Sequence, residues 1–475
     1  MLSSLDVMIV AFYATALFAL AQWVSREKPG HTKDATDYFL ASKSLPWWAI
    51  GASLSAANIS AEEIIGMSGS GYAIGLAIAS YEWMAAITLI LVGKYLLPVF
   101  LKTGIYTMPQ FLEQRYDHRV KTVMASFWMG VYVFVNLTSI LWLGALAINT
   151  VAGIDLTLGL ILLGIFAMSY SLYGGLKAVA LTDIVQVVLL VAGGLMIAAI
   201  LLEQISGGAG VMAGFVTLME RVPDRFDMIL AQDHPHYMSL PGVSVLIGGM
   251  WVMNVSYWGF NQYIIQRALA AKSVKEAQKG IAFAAFLKLL MPVIVVLPGI
   301  AMYALNAELA TPDQAYPSAM ALLPAGIKGL VFAALLAAIV SSLASMCNSI
   351  STIFTVDLLP SMVSEQWLDR HRLASGRGTA LIAMMIAMMA AQPLLGNFDQ
   401  AFQYIQEFTG FFTPGIVAIF LLGIFWRKTT ATGALLAAVG SAVGSSALGS
   451  NCGRASRRSA THCGYAHPRL TTAER

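Results

Sequence analysis

The sequence predicts an all-α protein that crosses a membrane many times. Of its 475 residues, 58% are hydrophobic and 11% are charged, whereas a soluble domain carries about 25% charged residues. The apolar residues gather in runs of about 20, the length that a helix needs to cross the hydrocarbon core. Twelve spans are predicted, near residues 5–24, 46–71, 76–100, 122–149, 156–174, 178–202, 243–265, 280–305, 327–357, 379–396, 401–425 and 430–448.

Several classes of protein are excluded by composition and motifs. A net charge of +3 gives no basis for a nucleic-acid surface, and the three cysteines form no CxxC pair. All seven histidines fall outside the predicted spans, and the chain has no HExxH, GxSxG or P-loop motif. No enzymatic activity is therefore expected. Without a P-loop, any transport by this chain would use an ion gradient or passive conduction rather than ATP hydrolysis.

The basic residues predict the orientation of the chain. The first apolar run has no basic residues before it and no cleavage site after it, which favours a retained span over a signal peptide. With the amino terminus outside, most basic loop residues face the cytoplasm, as the positive-inside rule requires. These residues include Arg26, Lys28, Lys102, Arg115, Arg119, Lys177, Arg267, Lys272, Lys275, Lys279, Arg370, Arg372 and Arg427, whereas the opposite loops hold Arg221, Arg225 and Lys328 before the tail.

Two groups of five spans suggest an inverted repeat. Each group opens with an interrupted segment, the first at Asn58-Ile59-Ser60 and the second around Asn254 and Ser256 to Gly259. Matched interruptions are typical of transporters whose unwound backbone lines a cavity, although small residues can also serve close helix packing. The predicted organisation is a leading helix and cytoplasmic loop (1–45), a first repeat (46–204), an extracellular or periplasmic linker (205–242), a second repeat (243–425), a flanking helix (426–448) and an aberrant, disordered tail (449–475).

Ionisable residues inside the spans are candidates for function. Glu82 and Lys288 can meet only if the two halves face one cavity, where they form either a polyol-binding site or a structural ion pair. Asn58, Asn254 and Gln406 add amides that donate and accept. The hydroxyls of Ser341 and Ser342, with carbonyls freed by the broken second span, can bind a hard monovalent cation, but such serines also bond back to their own helix.

The segments Ala57-Asn58-Ile59-Ser60-Ala61-Glu62 and Gly66-Met67-Ser68-Gly69-Ser70-Gly71 resemble the first core helix of the sodium:solute symporter family. Tyr173-Gly174-Gly175, Thr182-Asp183, Trp258-Gly259-Phe260-Asn261-Gln262, Gln266-Arg267 and Ser341-Ser342-Leu343-Ala344-Ser345 extend the resemblance. It covers residues from about 5 to 445 and is strongest to the bacterial sodium/glucose (sodium/galactose) cotransporters of that family. The resemblance implies a LeuT-type core of two inverted five-helix repeats, with sodium co-transported and a small-molecule sugar as substrate.

The resemblance also implies the functional residues. The sodium site is expected at the carbonyls of Ala56, Ile59 and Ala338 and the hydroxyls of Ser341 and Ser342, with Asp183 linked to sodium coupling. The sugar site is expected at Asn58, Glu63, Glu82, Asn254, Lys288 and Gln406. Tyr257 is expected as the inner gate, and Met67, Tyr81 and Phe402 as the outer gate.

Three features depart from the family's pattern. Glu63 stands where a glutamine is expected and Ala85 where a serine is expected, which leaves the exact sugar open. An ionised Glu63 can only accept hydrogen bonds, so substrate affinity is expected to vary with pH. The residues after about 449 do not match the family's two final helices and resemble an altered gene end. The open alternatives are a sodium symporter of another organic solute (myo-inositol, an amino acid or an organic acid) and a non-transporting sensor or channel.

Overall fold

The computed structural model describes residues 2–24, 45–237, 240, 242–396 and 401–441. Within these ranges the chain is helical, and the one extended contact is an isolated bridge between Leu45 and Ala271. The loop 25–44, the end of the flanking helix beyond 441 and the tail 449–475 lie outside the described residues. The helices are α1 (Ser4–Val24), α2 (Trp47–Asn58), α3 (Met67–Ala73), α4 (Leu76–Thr103), α5 (Met108–Arg115), α6 (His118–Ala152), α7 (Leu156–Ile205), α8 (Val211–Arg221), α9 (Gly242–Phe260), α10 (Gln262–Leu269), α11 (Val274–Ala304), α12 (Ala315–Ala321), α13 (Ile327–Ser361), α14 (Glu365–Leu395), α15 (Ala401–Gly410), α16 (Thr413–Phe425) and α17 (Ala431–Ser441).

The apolar helices confirm a multi-pass membrane protein. Seven helices of the described part are long and apolar enough to cross a bilayer, and four shorter apolar helices accompany them. In the most apolar 18-residue stretch of α13, 89% is buried, whereas the corresponding stretches of α9 and α14 are 33% buried. A helix that is apolar all round and buried belongs to the centre of the bundle. The core of the protein therefore surrounds α13.

The predicted interruption of the second span is confirmed. Helix α2 ends at Asn58, and Ile59 has ψ 67°, outside the helical range. The Ser60 amide donates to the Asn58 carbonyl (2.7 Å), and Ser60 Oγ accepts from the Glu62 amide (3.2 Å). The Ser60 side chain competes with the helical ladder in this way through a local hydrogen bond. The chain then resumes as a π turn, Glu62–Gly66, that leads into α3.

The second interruption lies at a different residue from the one predicted. Residues 254–259 are helical, and residues 256–259 belong to a π turn, Ser256–Phe260. The break occurs at Asn261, which has ψ 122°. Asn261 Oδ1 accepts from the Tyr263 amide (3.1 Å) and from the Tyr132 hydroxyl (2.5 Å). Its side chain thus caps α10, which explains why the helix restarts there.

A single helix replaces two predicted spans. The sequence predicts a turn between residues 174 and 178, but α7 runs unbroken for 50 residues, a length of about 75 Å. Gly174 and Gly175 do not end it, because an interior glycine costs only about 1 kcal/mol. Its apolar stretches, Leu156–Ser169 and Asp183–Ile205, correspond to the two predicted spans.

The two halves of the chain meet along α11. Helix α2 packs against its first turns and α3 against its last part. A Cβ on Gly299 would lie 2.1 Å from the Ser68 carbonyl oxygen, and one on Gly71 would lie 2.7 Å from the Val296 carbonyl oxygen. Glycine is needed at both positions because backbone meets backbone. This contact places the broken span of the first half beside Lys288 of the second half.

Candidate sodium and solute sites

A cavity lined by both apolar and polar side chains lies between the two halves of the protein. Helices α4, α6, α9, α15 and α16 and the π turn after α2 provide its walls. Nine of the residues predicted for the sugar site and the gates line it: Asn58, Glu63, Met67, Tyr81, Glu82, Asn254, Tyr257, Phe402 and Gln406. The structure therefore brings together residues that are separated by more than 300 positions in the chain.

Lys288 lies behind the cavity wall and binds two of its carboxylates. Lys288 Nζ donates to Glu63 Oε1 (2.9 Å) and to Glu82 Oε2 (2.6 Å). The ammonium also lies 5.3 Å from the centre of the Trp258 ring, within cation–π range. The predicted pairing of Glu82 with Lys288 is present, and Glu63 joins it as a third member. We call Glu63, Lys288 and Glu82 the charged triad.

The amides keep free hydrogen-bonding capacity towards the cavity. Asn58 Nδ2 donates to the Tyr257 hydroxyl (3.1 Å), whereas Asn58 Oδ1 has no partner among the described residues. Asn254 Nδ2 donates to the Met250 carbonyl (3.0 Å). Gln406 bonds to Tyr81 through its side chain. Each amide has two donors and an acceptor, so the cavity can meet a ligand that carries several hydroxyls.

Aromatic side chains bound the cavity on two sides. Tyr81 and Phe402 pack edge to face, with their ring centres 5.6 Å apart, next to Met67, which is buried. Tyr257 is held by its bond to Asn58 and packs against Trp258, with ring centres 5.1 Å apart. The residues predicted as outer and inner gates thus form separate aromatic contacts in the same cavity.

The hydroxyl-rich part of α13 faces the break after α2. Ser342 Oγ donates to the Ala57 carbonyl (3.4 Å), and Ser341 Oγ donates to Asp183 Oδ1 (2.5 Å). Ala56, Ile59 and Ala338 are buried in the same region. Neutral hydroxyl and carbonyl oxygens suit a hard monovalent cation, so the residues present fit a sodium substrate. The described part of the chain holds no group of three or more acidic, His or Cys ligands.

The sequence reasoning missed a buried polar network around Asp183. Arg267 was predicted on the cytoplasmic side as a loop residue, but it lies within helix α10 and is 1% exposed. Its Nη2 donates to Ser345 Oγ (2.7 Å) and lies 3.9 Å from Asp183 Oδ2. Ser53 Oγ links the pair, since it donates to Asp183 (2.7 Å) and accepts from Arg267 Nε (2.9 Å). Every residue of α10 is buried, but its sequence, with two glutamines and an arginine, gave no signal of this.

The fold is all-α, and its broken helix lies between the cavity and a set of neutral cation ligands. This arrangement defines a cation-coupled membrane transporter. The chain belongs to the sodium:solute symporter family, since the model of that family matches residues 38–441. It is accordingly a sodium-coupled transporter and not an enzyme.

Comparisons with individual proteins agree with this family. A sodium/glucose cotransporter of Vibrio parahaemolyticus is 55% identical over 93% of this chain and 84% of its own length. A sodium/myo-inositol cotransporter of Bos taurus is 32% identical over 91% of this chain and 65% of its own length. The structure of a Na+-coupled sialic acid symporter superimposes with a TM-score of 0.79 at 23% identity, covering 91% of this chain and 89% of that one. This likeness confirms the predicted LeuT-type fold.

Proposed function

We propose that this protein carries a glucose- or galactose-like hexose across the cell membrane together with sodium, by alternating access. The break after α2 is the observation that carries the proposal. Asn58 lines the cavity, while the adjacent carbonyl of Ala57 accepts from Ser342. Neighbouring residues of the last turn of α2, next to the break, thus serve both ligands, so binding of one changes the backbone that binds the other. The names of the relatives from Vibrio parahaemolyticus and Bos taurus support a polyhydroxylated solute.

The sugar site consists of the polar residues that meet at the cavity. Carboxylates accept from sugar hydroxyls, the ammonium donates, and the amides do both. Such a site rejects solutes that lack the hydroxyls, because its buried groups would then lose their partners. The residues are Asn58, Glu63, Glu82, Asn254, Lys288 and Gln406.

The aromatic contacts on the two sides of the cavity serve as gates. Met67, Tyr81 and Phe402 close the outer side, and Tyr257 closes the inner side. Tyr257 is tied to Asn58 by a hydrogen bond, so a sugar that binds Asn58 competes for the bond that holds the inner gate. Alternating access then consists of exchanging one closed gate for the other.

Sodium binds at the carbonyl oxygens of Ala56, Ile59 and Ala338 and the hydroxyls of Ser341 and Ser342. The Ser341 hydroxyl donates to Asp183, so any displacement of that hydroxyl changes its hydrogen bond with Asp183. Through Ser53 and Arg267 the Asp183 carboxylate connects α2, α7, α10 and α13. Asp183 therefore couples sodium binding to the packing of both repeats.

The amino terminus lies outside a bacterial inner membrane, with the basic loops in the cytoplasm. When Arg267 is not counted as a loop residue, Lys272, Lys275 and Lys279 still lie on the same side. The unequal distribution of basic residues across the membrane therefore persists. The domain boundaries proposed from the sequence follow the same topology, with repeats at 46–204 and 243–425 around the linker 205–242.

Transport of a neutral sugar with sodium moves charge. A tenfold sodium gradient supplies about 1.4 kcal/mol, and about 100 mV of membrane potential supplies about 2.3 kcal/mol. Together they support a few hundredfold accumulation. Uptake into proteoliposomes should therefore rise with an inside-negative potential.

The test is sugar uptake by the purified chain in proteoliposomes, with sodium or potassium outside and with competing hexoses, myo-inositol, amino acids and organic acids. Sodium-dependent, potential-driven uptake inhibited by hexoses supports the proposal, and Lys288→Ala and Gln406→Ala should sharply reduce it. Normal sodium-driven uptake by both variants would refute the sugar site. Inhibition by an amino acid or organic acid but not by hexoses would refute the sugar itself.

A further inference from the structure

The charged triad contains two carboxylates and one ammonium. Glu63 and Glu82 both bind Lys288 Nζ, at 2.9 and 2.6 Å, so the two carboxyl groups lie on the same ammonium. The side chains are 6%, 4% and 3% exposed for Glu63, Glu82 and Lys288. With all three groups charged, the triad has one negative charge in excess.

The surroundings do not balance this charge. The remaining carboxyl group on the cavity wall is Glu62, which accepts from Ser139 Oγ and brings no positive charge. The nearby phenols of Tyr81, Tyr132 and Tyr257 are neutral in the physiological range. Asn58, Asn136, Asn254, Asn261 and Gln406 complete the polar lining of the cavity with neutral amides.

The other buried basic side chains of the described residues, Arg267 and Lys121, are already engaged. Arg267 lies beside Asp183 and donates to Ser53 and Ser345, so it belongs to the sodium side, and Lys121 binds Glu113 (2.6 Å). Trp258, the aromatic neighbour of Lys288, carries no charge. Within the described residues, Lys288 is the one cation that pairs with Glu63 and Glu82. The negative charge in excess is therefore unbalanced.

Occlusion makes this imbalance costly. An uncompensated charge is strongly disfavoured in a low-dielectric interior, and two adjacent carboxylates cannot both ionise readily, because like charges raise the free energy of the doubly ionised form. A neutral sugar brings no charge that could balance the site. A proton shared by Glu63 and Glu82 would neutralise the triad and also provide a carboxyl O–H that can donate to a sugar oxygen.

We infer that the charged triad binds one proton, taken from water on the side where the cavity is open, and that the protonated triad is the form that binds sugar and closes around it. The inference rests on the sugar site proposed above. It makes the triad as a whole, with its two carboxyl groups on one ammonium, the origin of the pH dependence of transport. Glu63→Gln keeps the shape of the side chain, donates through its amide and removes the excess charge, so the variant should bind sugar without a proton.

The experiment measures the KM for sugar at saturating sodium in proteoliposomes, with the same pH on both sides, from about pH 5 to about pH 9. The wild-type KM should be constant at low pH and then rise by about tenfold per pH unit once the proton is lost. Glu63→Gln should give a KM that does not change with pH. Glu62→Gln is the matched control, because Glu62 lines the same cavity without binding Lys288, and it should keep the wild-type rise.

A second measurement does not depend on any variant. Adding sugar to the wild-type protein in weakly buffered detergent solution, at a pH on the rising part of the profile, should take up close to one proton per sugar bound. A flat wild-type profile, an equal rise in Glu63→Gln or the absence of proton uptake would overturn the inference. These results would leave the proposed function standing as long as uptake still required sodium. Loss of the sodium requirement would instead refute the proposed function.

Discussion

Replacing Ser342 by Ala tests the sodium site with little damage to the fold. The Ser342 hydroxyl is fully buried, and its bond to the Ala57 carbonyl is long at 3.4 Å. That carbonyl also accepts from the Tyr263 hydroxyl, so the substitution leaves no buried group without a partner. The stability cost should stay below about 1 kcal/mol. An oxygen that contacts a charged group contributes about 1.5–3 kcal/mol, so apparent sodium affinity should fall by about 10- to 150-fold.

The assay is sodium activation of sugar uptake in proteoliposomes, read as the sodium concentration that gives half-maximal rate. Ser349→Ala is the matched control, because Ser349 is buried on the same helix but bonds to Gln266 (3.2 Å) and to the Ser345 carbonyl (3.1 Å). It should retain wild-type sodium activation. An unchanged sodium requirement in Ser342→Ala would show that this hydroxyl does not bind the cation and that the reasoning from the break after α2 is wrong.

Three further predictions concern stability, each measured as the fraction of monodisperse protein that survives heating in detergent. Arg267→Met should lower the free energy of unfolding by about 3–5 kcal/mol, since it leaves the Asp183 charge buried without its partner, and the double variant with Asp183→Asn should recover most of this loss. Gly299→Ala should destabilise the α3–α11 contact by at least about 1–3 kcal/mol, because the new methyl group would meet the Ser68 carbonyl. Asp6→Ala should cost about 1–3 kcal/mol, because the Asp6 carboxylate accepts from the amides of Gly326 (2.7 Å) and Gly329 (2.9 Å) at the start of α13.

The first two of these predictions each have a result that contradicts them. Equal losses in the single and double variants would mean that Arg267 and Asp183 are not energetically coupled. If Gly299→Ala survived heating as well as the wild-type protein, α3 and α11 could separate without loss of stability. Gly104→Ala is not a suitable control for that variant because its φ is +68°. Gly130→Ala is suitable, because a Cβ there meets nothing within 4 Å.

Most of the fold could be predicted from the sequence, because it depends on local composition. Runs of apolar residues predict spans wherever they occur, since a bilayer selects helices by length and hydropathy alone. The break after Asn58 was also predictable, because Asn and Ser carry their competing hydrogen bonds with them. The break at Asn261 was misplaced, since the π turn keeps residues 256–260 helical and Asn261 ends the helix by capping the next one. The predicted turn within α7 was wrong because two glycines alone cannot end a helix that is otherwise favourable.

The charges inside the protein could be identified from the sequence, but their partners could not. Glu63, Glu82 and Lys288 are costly in any span, so each was predicted to have a function. Whether one ammonium serves one carboxylate or two depends on how α11 packs against the first repeat, and that packing is set by contacts such as Gly299 on Ser68 far along the chain. Arg267 was assigned to a loop because its own segment gives no sign of what covers it. Only the packing of four helices around Asp183 decides that this arginine is buried, since the free energy of a buried charge depends on partners that the local sequence does not contain.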